Sequence, residues 1–375
     1  MRILITGGAG FIGTHLARRL LADGAEVTVF DSFSPQIHGT SEALAPDVAP
    51  HVRLVRGDVR DKDAFHAALE NQETVVHLAA ETGTGQSMYE VSRYTDVNLG
   101  GTALLMDYLV NSPNSKITKL VTASSRAIYG EGKYECLAHG TVYPNARLEA
   151  DMKAGRFEPV CPQCALPCVS VPTDESSRLS PSSYYGLTKQ VQEQMTLLFG
   201  RTRGVSAFAL RYQNVYGPGQ SLQNPYTGIL AIFSNQARAG LPIYIFEDGQ
   251  ESRDFVYVDD VVEATARTLR PDTAGVEALN VGSGVRTTVS EVVREIVQFF
   301  GSASEVSVTG AFRLGDIRHN TADLALAEAR LGYQPRWTFH DGLREFLTWA
   351  QMQDAPAGRY EESLNELSAK GLMYR

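Results

Sequence analysis

The chain has 375 residues, 43% of them hydrophobic and 21% charged, the make-up of a globular protein with one large or two interleaved domains. With 34 Lys and Arg against 43 Asp and Glu the formal net charge is −9 and no basic run stands out, so neither nucleic acid nor an anionic membrane is expected as a partner. No apolar stretch is long enough to span a bilayer, and the N-terminus opens on a strand-like run instead of a charged leader, so a cytoplasmic protein is expected.

The first element, "RILIT", reads as a fully buried strand. "GGAGFIG" follows, with Gly7, Gly10 and Gly13 at three-residue spacing and Phe11 and Ile12 inside the turn. An apolar helical stripe, "THLARRLLADG", leads to the strand "EVTVF", which ends on Asp31. Glycines let backbone amides approach a pyrophosphate at a helix N-terminus. An acid after the second strand can take both ribose hydroxyls of an adenosine, and its charge disfavours a 2′-phosphate, so NAD is expected over NADP. The strand "VRLVRGD" (52–58) ends on Asp58, a candidate to meet the adenine, with Val59 next to it. "TVVHLAA" (74–80) ends on Ala79 and Ala80, and a long helix is expected over 93–110, with Asn98 near its start. Together Gly7, Gly10, Phe11, Ile12, Gly13, Asp31, Asp58, Val59, Ala79, Ala80 and Asn98 form the expected cofactor-binding set.

"KLVTASS" (119–125) is a further strand. Strands alternating with helices predict an α/β fold with a doubly wound parallel sheet, whose ligands bind at the strand C-termini. Ser124 and Ser125 stand at such an end, and both hydroxyls are expected to face the cofactor cleft. "SSYYGLTKQ" (182–190) starts a helix with Tyr185 and Lys189 four residues apart on one face. A nearby ammonium favours a phenolate, so Tyr185 is a candidate base. A solvated Tyr/Lys pair is the plain alternative; the dinucleotide pattern upstream and Ser125 favour the catalytic reading.

In combination "TGGAGFIG", "HLAA", "SSRAIYG", Tyr185-x-x-x-Lys189, "RYQNVYGPGQ" and "RDFVYVDDV" resemble the extended short-chain dehydrogenase/reductase family of nucleotide-sugar epimerases and dehydratases, over nearly the whole chain up to about residue 350. The resemblance implies that Ser125, Tyr185 and Lys189 are the catalytic set, the last two also meeting the cofactor. It implies that Asn214, Arg253 and Arg313 surround a sugar-nucleotide diphosphate, a role that suits guanidinium forks. Gln86, Ser87 and Arg126 complete the expected substrate-binding set, and Gln213 stands where many relatives are aromatic. In the family's 4,6-dehydratases an acid or acid pair follows the catalytic Ser/Thr; here Arg126 and Ala127 follow, and neither can do general acid–base work. Elimination is therefore disfavoured, and reversible oxidation at C4 of a nucleotide-linked sugar, ending in the C4 epimer, is expected. A 4,6-dehydratase, a net oxidoreductase and a non-catalytic dinucleotide sensor are the alternatives.

Between Tyr129 and Tyr185 lies an insert of little periodicity, bounded at 131–181, which contains all four cysteines. Cys136 and His139, then Cys161 and Cys164, read as a structural tetrahedral zinc site, with Cys168 as a further candidate; reduced, unliganded thiols are the alternative. The "Y-x-C" and "C-P-x-C" pieces resemble a subgroup of the family that includes dTDP-L-rhamnose 4-epimerases. Residues 1–216 are expected to form the cofactor domain, rejoined by 251–279, with 217–250 and 280–375 as a smaller substrate lobe. A helix is expected over 224–240, lying over the sugar nucleotide, and the polar tail carries a helical patch, either a lid or a flexible end. The family resemblance implies a homodimer built on helices near 92–112 and 184–201.

Overall fold

The computed structural model describes residues 1–224, 226, 228–353 and 360–374. Its centre is a seven-stranded, all-parallel sheet in the order Val276–Val281, Ser206–Tyr212, Lys119–Ser125, Thr74–His77, Arg2–Thr6, Glu26–Asp31, Arg53–Arg56. Strand order reverses on either side of Arg2–Thr6, which opens a crevice at the C-terminal strand ends. Side chains alternate between two cores. Ile3 and Ile5 join Leu16, Leu20 and Val261 on one face, and Leu4 joins Phe65, Leu105 and Phe199 on the other. Both faces are covered, so these strands read as unbroken apolar runs.

The helix expected over 93–110 is interrupted. Val91–Tyr94 passes into a wide π-helical turn, Thr95–Gly100, before Gly101–Asn111 resumes as α-helix. Gly101 permits the close approach there, since a Cβ on it would stand 2.5 Å from the Val59 side chain. The helix expected over 224–240 runs Ile229–Ala239, and residues 225 and 227 of that expectation lie outside the described residues. The helical patch of the tail is Tyr360–Ala369; residues 354–359 and 375 are likewise outside the description.

Smaller sheets sit above the strand C-termini: Asn214–Tyr216, Ser252–Tyr257 and Arg286–Thr288 form one, Ile243–Ile245 with Val306–Val308 another. Helix Val289–Phe300 starts with a capping box between Thr288 and Glu291, which satisfies its first amides. The cysteine insert carries its own three-stranded sheet, Gly140–Val142, Tyr134–Cys136 and Val169–Ser170, and a short helix, Glu149–Lys153. A buried arginine ties it to the rest of the chain: Arg147, paired within the insert with Glu131 (3.2 Å), reaches Glu247 (2.8 Å) and donates to the Asp316 carbonyl (2.8 Å). No helix among the described residues is long and apolar enough to cross a membrane.

Candidate active site

A cavity of about 640 Å³ lies at the C-terminal end of the sheet. Ten of the eleven residues in the expected cofactor set line it, from Gly7 and Gly13 through Asp31 and Asp58 to Ala79 and Ala80. The glycines are required by space. Gly7 has φ +67°, and a Cβ on it would meet Ala79 N at 2.9 Å; one on Gly13 would meet the Gly7 carbonyl at 2.5 Å. Asp31 is buried at the end of its strand and accepts from Ala9 N (3.0 Å) and Phe33 N (2.8 Å), so the acid also pins the glycine turn. Asp58 is gripped by Arg60 through two side-chain hydrogen bonds (3.0 and 2.7 Å), which hold its carboxyl below the usual range.

Asn98 is the exception. It is fully buried and absent from the cavity wall; its amide accepts from Glu81 N (2.8 Å) and donates to Thr188 Oγ1 (2.9 Å). The π-turn swings it beneath the loop after Ala80, where it positions that loop. Ser124 also departs from expectation. Strand alternation sends its hydroxyl to the opposite face, where it donates to Glu193 (2.7 Å), a carboxylate in a buried pair with Arg211 (2.6 Å). Of the two hydroxyls, that of Ser125 is the one that meets Tyr185.

Ser125, Tyr185 and Lys189 meet at the inner end of this cavity. Ser183 caps helix Tyr184–Arg203 by accepting from Gly186 N (3.1 Å), which sets the first turn that carries Tyr185. Gly186 is forced, because a Cβ there would stand 2.6 Å from the Ala127 carbonyl. Burial raises the Tyr185 phenol, while the Ser125 hydroxyl and the Arg126 guanidinium act in the opposite direction. Lys189, expected to be the group that favours the phenolate, donates to the Ala123 carbonyl (3.0 Å) and is itself brought down to about 7 by burial.

A second cavity, about 170 Å³, adjoins the first and brings together Arg126, Asn214, Arg253 and Arg313. Arg126 Nε donates to Asn214 Oδ1 (3.1 Å). Burial and the neighbouring Arg253 push the Arg126 guanidinium down to about 10. Arg253 is oriented by the carbonyls of Ser252, Ile317 and Arg318 at 2.8–3.0 Å. Arg313 pairs with Asp316 (2.9 Å), and its Nε is buried without a hydrogen-bond partner. Two expected members are not in this wall. The short helix Thr84–Ser87 turns Gln86 and Ser87 inward, Gln86 to the Gln36 amide (2.9 Å) and Ser87 to the Thr84 carbonyl (2.6 Å). Thr84 and Gly85, one step earlier, take their place. Glu251 and Asp316 also line the cavity and were missed by sequence reasoning; helix Tyr360–Ala369, the helical patch of the tail for which a lid was one alternative, lines it too. Glu251 stands two residues before Arg253 in "ESRDF", and that adjacency was a usable signal. Gln213 lines the cofactor cavity with both amide atoms buried and unpartnered.

In the insert Cys136, His139, Cys161 and Cys164 place one donor atom each within 4.8 Å of one another. His139 Nδ1 is 3.6 Å from the sulfurs of Cys136 and Cys161, and Cys136 Sγ is 3.7 Å from Cys164 Sγ. A tetrahedron with metal–sulfur bonds of ~2.3 Å has edges of about 3.8 Å, so three thiols and an imidazole at this spacing fit zinc. Cys168 stands apart, with its thiol directed to the Pro159 carbonyl (3.4 Å).

A glycine-lined cavity at the switch point, a Ser–Tyr–Lys set in its wall and an arginine-lined chamber beside it define a nucleotide-cofactor enzyme of the doubly wound α/β class. The chain belongs to the NAD dependent epimerase/dehydratase family, whose model matches residues 3–151 and 162–282, with its break inside the cysteine insert. It is 40% identical to a dTDP-L-rhamnose 4-epimerase of Burkholderia thailandensis, over 93% of this chain and 94% of that one. Among solved structures it is similar to the UDP-glucose 4-epimerase of Thermotoga maritima with UDP-glucose (TM-score 0.75, 28% identity, 94% of this chain and 99% of that one). It is equally similar to MoeE5 in complex with UDP-glucuronic acid and NAD (TM-score 0.74, 28% identity, 94% and 99%).

Proposed function

We propose that this protein inverts C4 of a nucleoside-diphosphate sugar, using NAD, and that the sugar nucleotide is dTDP-L-rhamnose. The observation that carries this reading is the neighbourhood of Tyr185: among the described residues the side chains acting on its phenol are Ser125 and Arg126, not a carboxylate, while Asp316 and Glu131 act on Arg126. The cavity lined by Gly7, Gly13, Asp31 and Lys189 would hold NAD, which would supply reversible hydride chemistry at C4. Gly7, Gly10 and Gly13 admit the pyrophosphate, and Asp31 takes the adenosine ribose. Tyr185 receives the C4 hydroxyl proton as the sugar is oxidised and gives it back after the sugar has turned, with Ser125 hydrogen-bonded to the same oxygen. Lys189, held by the Ala123 carbonyl, stands behind the tyrosine in the buried site. Arg253 and Arg313 clamp the diphosphate; the orphan Nε of Arg313 is a donor awaiting an anion, and Asn214 and Arg126 complete the cradle. Held at the diphosphate, a 4-keto sugar can present its other face without leaving.

The cysteine cluster holds a structural zinc ion in this reading, because all four donors come from the protein. Exposed Leu187 (46%), Leu198 (57%) and Val110 (45%) on helices Tyr184–Arg203 and Gly101–Asn111 support a homodimer through these helices, which light scattering tests. The division into a cofactor domain (1–216 and 251–279) and a substrate lobe (217–250 and 280–375) is part of the same proposal.

The test is NMR of dTDP-L-rhamnose incubated with the purified protein, deuterated at C4. The expected product is the C4 epimer with deuterium retained. A 4-keto-6-deoxy product formed from dTDP-glucose would make the protein a dehydratase instead.

A further inference from the structure

Helix Tyr360–Ala369 lies across the substrate cavity, and Leu364 and Leu367, three apart on one face, are part of its wall. Thr84 and Gly85 share this wall, and Leu367 packs directly on Gly85, where a Cβ would sit 3.8 Å from both leucine methyls. Thr84 and Gly85 follow directly on Thr82 and Gly83 of the cofactor cavity, and Tyr226 lines both cavities. The leucines therefore lie near the junction where the sugar must meet the cofactor.

The helix is fastened in place. The Glu366 carboxylate accepts from Tyr226 Oη (2.7 Å) and Tyr89 Oη (2.9 Å), and Lys370 lies over the Tyr89 ring (5.1 Å). Beyond it Met373–Tyr374 pairs antiparallel with Phe312–Arg313, with Tyr374 stacked on Phe312 (5.0 Å). The strand that carries Arg313 of the diphosphate clamp is thus the strand that anchors the chain's end.

We propose that residues 360–374 form the sugar-side wall of the substrate chamber, and that Leu364 and Leu367 make it selective for a sugar whose C6 is a methyl group. A hexose carries hydroxyls on its ring carbons, so the exocyclic C6 is where an apolar contact can discriminate. A leucine pair pairs no hydrogen bond with a hydroxymethyl, whereas it removes a methyl from water. Pockets of this kind discriminate by roughly ten- to a hundredfold. This inference rests on the nucleotide-sugar reading above and deepens it.

The matched probes are dTDP-L-rhamnose and dTDP-L-mannose, which differ only by the hydroxyl on C6. Their affinities are measured by calorimetry on the NAD-loaded, full-length protein, together with kcat/KM for C4 inversion. Wild type should favour the rhamnose nucleotide by about tenfold or more. Leu364→Asn with Leu367→Asn should bring that ratio close to one, and Leu367→Met should retain it. Glu366→Gln, which loosens the wall without altering its apolar face, should weaken both nucleotides alike. A wild type that does not discriminate, or a folded Asn variant with the wild-type ratio, overturns the wall's selectivity. Discrimination in binding without C4 inversion would retain the wall and sink the epimerase reading; inversion without discrimination would do the reverse.

Discussion

The two cavities are built in opposite ways. The cofactor cavity is assembled from consecutive strand ends and the turns after them, so its residues recur at each step of one alternating pattern. The substrate cavity gathers Gly85, Arg126, Asn214, Arg253, Arg313 and Leu364, separated by tens of residues and carried by six different elements. The first is a product of local chain geometry; the second exists only once the upper sheets and the C-terminal helix have docked. Damage to each should therefore read out differently, one on chemistry and cofactor, the other on substrate.

The largest effect is expected at the seam between them. Tyr185→Phe removes the hydroxyl that exchanges a proton with the sugar and leaves the ring packed against Tyr94. Turnover should fall about 10³-fold or more, with nucleotide-sugar affinity nearly intact, because the loss falls on the transition state. A variant with wild-type kcat would take Tyr185 out of the mechanism. Ser125→Ala should cost less, since Arg126 still acts on the phenol.

Next is the metal. Elemental analysis of protein purified without chelator should give one zinc per chain, and its removal should lower the unfolding midpoint, since metal-binding energy is folding energy. The insert reaches the substrate chamber through Arg147, which donates to the Asp316 carbonyl, and Asp316 pairs with Arg313. Stripped protein should accordingly lose nucleotide-sugar affinity while keeping its affinity for NAD. Equal losses at both cavities would break the contrast; four titratable thiols with no metal and no change in stability would leave only the thiol reading.

A change at Asp31 tests the other side. Asp31→Ala should weaken NAD about tenfold to a hundredfold and improve NADP relative to it, leaving substrate affinity alone. Part of the loss comes from the turn, because Ala9 N and Phe33 N lose their acceptor. An unchanged preference between the two cofactors would remove Asp31 from the ribose.

The same contrast decides what could be read from the residues. Gly7, Gly13 and Asp31 were legible because a strand, a turn and an acid at short spacing have few other uses. The doubly wound sheet was legible because each strand is a run that only a sheet covered on both faces tolerates. Arg253 and Arg313 could be singled out only through family resemblance, and the structure brings both to one cavity. Gln86 and Ser87 failed because a four-residue helix turned their side chains inward and offered Thr84 and Gly85 instead. Asn98 and Ser124 depart from expectation in different degrees: a wide turn takes Asn98 off the cavity wall, whereas Ser124 lines the cavity but has its hydroxyl bonded to Glu193. Leu364 and Leu367 carry no chemistry to mark them, and tertiary docking alone makes them part of a site.

The smallest effect concerns Glu251, which faces the substrate chamber close to Glu247, Arg253 and Arg318. Its Oε2 has no hydrogen-bond partner and lies 3.9 Å from Arg318 Nη1. Burial, with Glu247 adding to it, pushes its carboxyl up to about 7, against the pull of Arg253 and Arg318. The folded protein thus holds this proton more tightly than the unfolded chain. The stabilisation is fully present below the ordinary carboxylate range and fades as pH rises through about 7. Between pH 5 and pH 7 the loss from this group should be of order 2 kcal/mol. Glu251→Gln mimics the protonated acid and should flatten that part of the stability–pH curve, measured by denaturant unfolding at several pH values. A diphosphate bound at Arg253 adds negative charge to the same chamber and should raise the carboxyl further, so nucleotide-sugar binding should take up protons near pH 7 in wild type and not in the Gln variant. Equal proton uptake in both proteins would place the titrating group elsewhere.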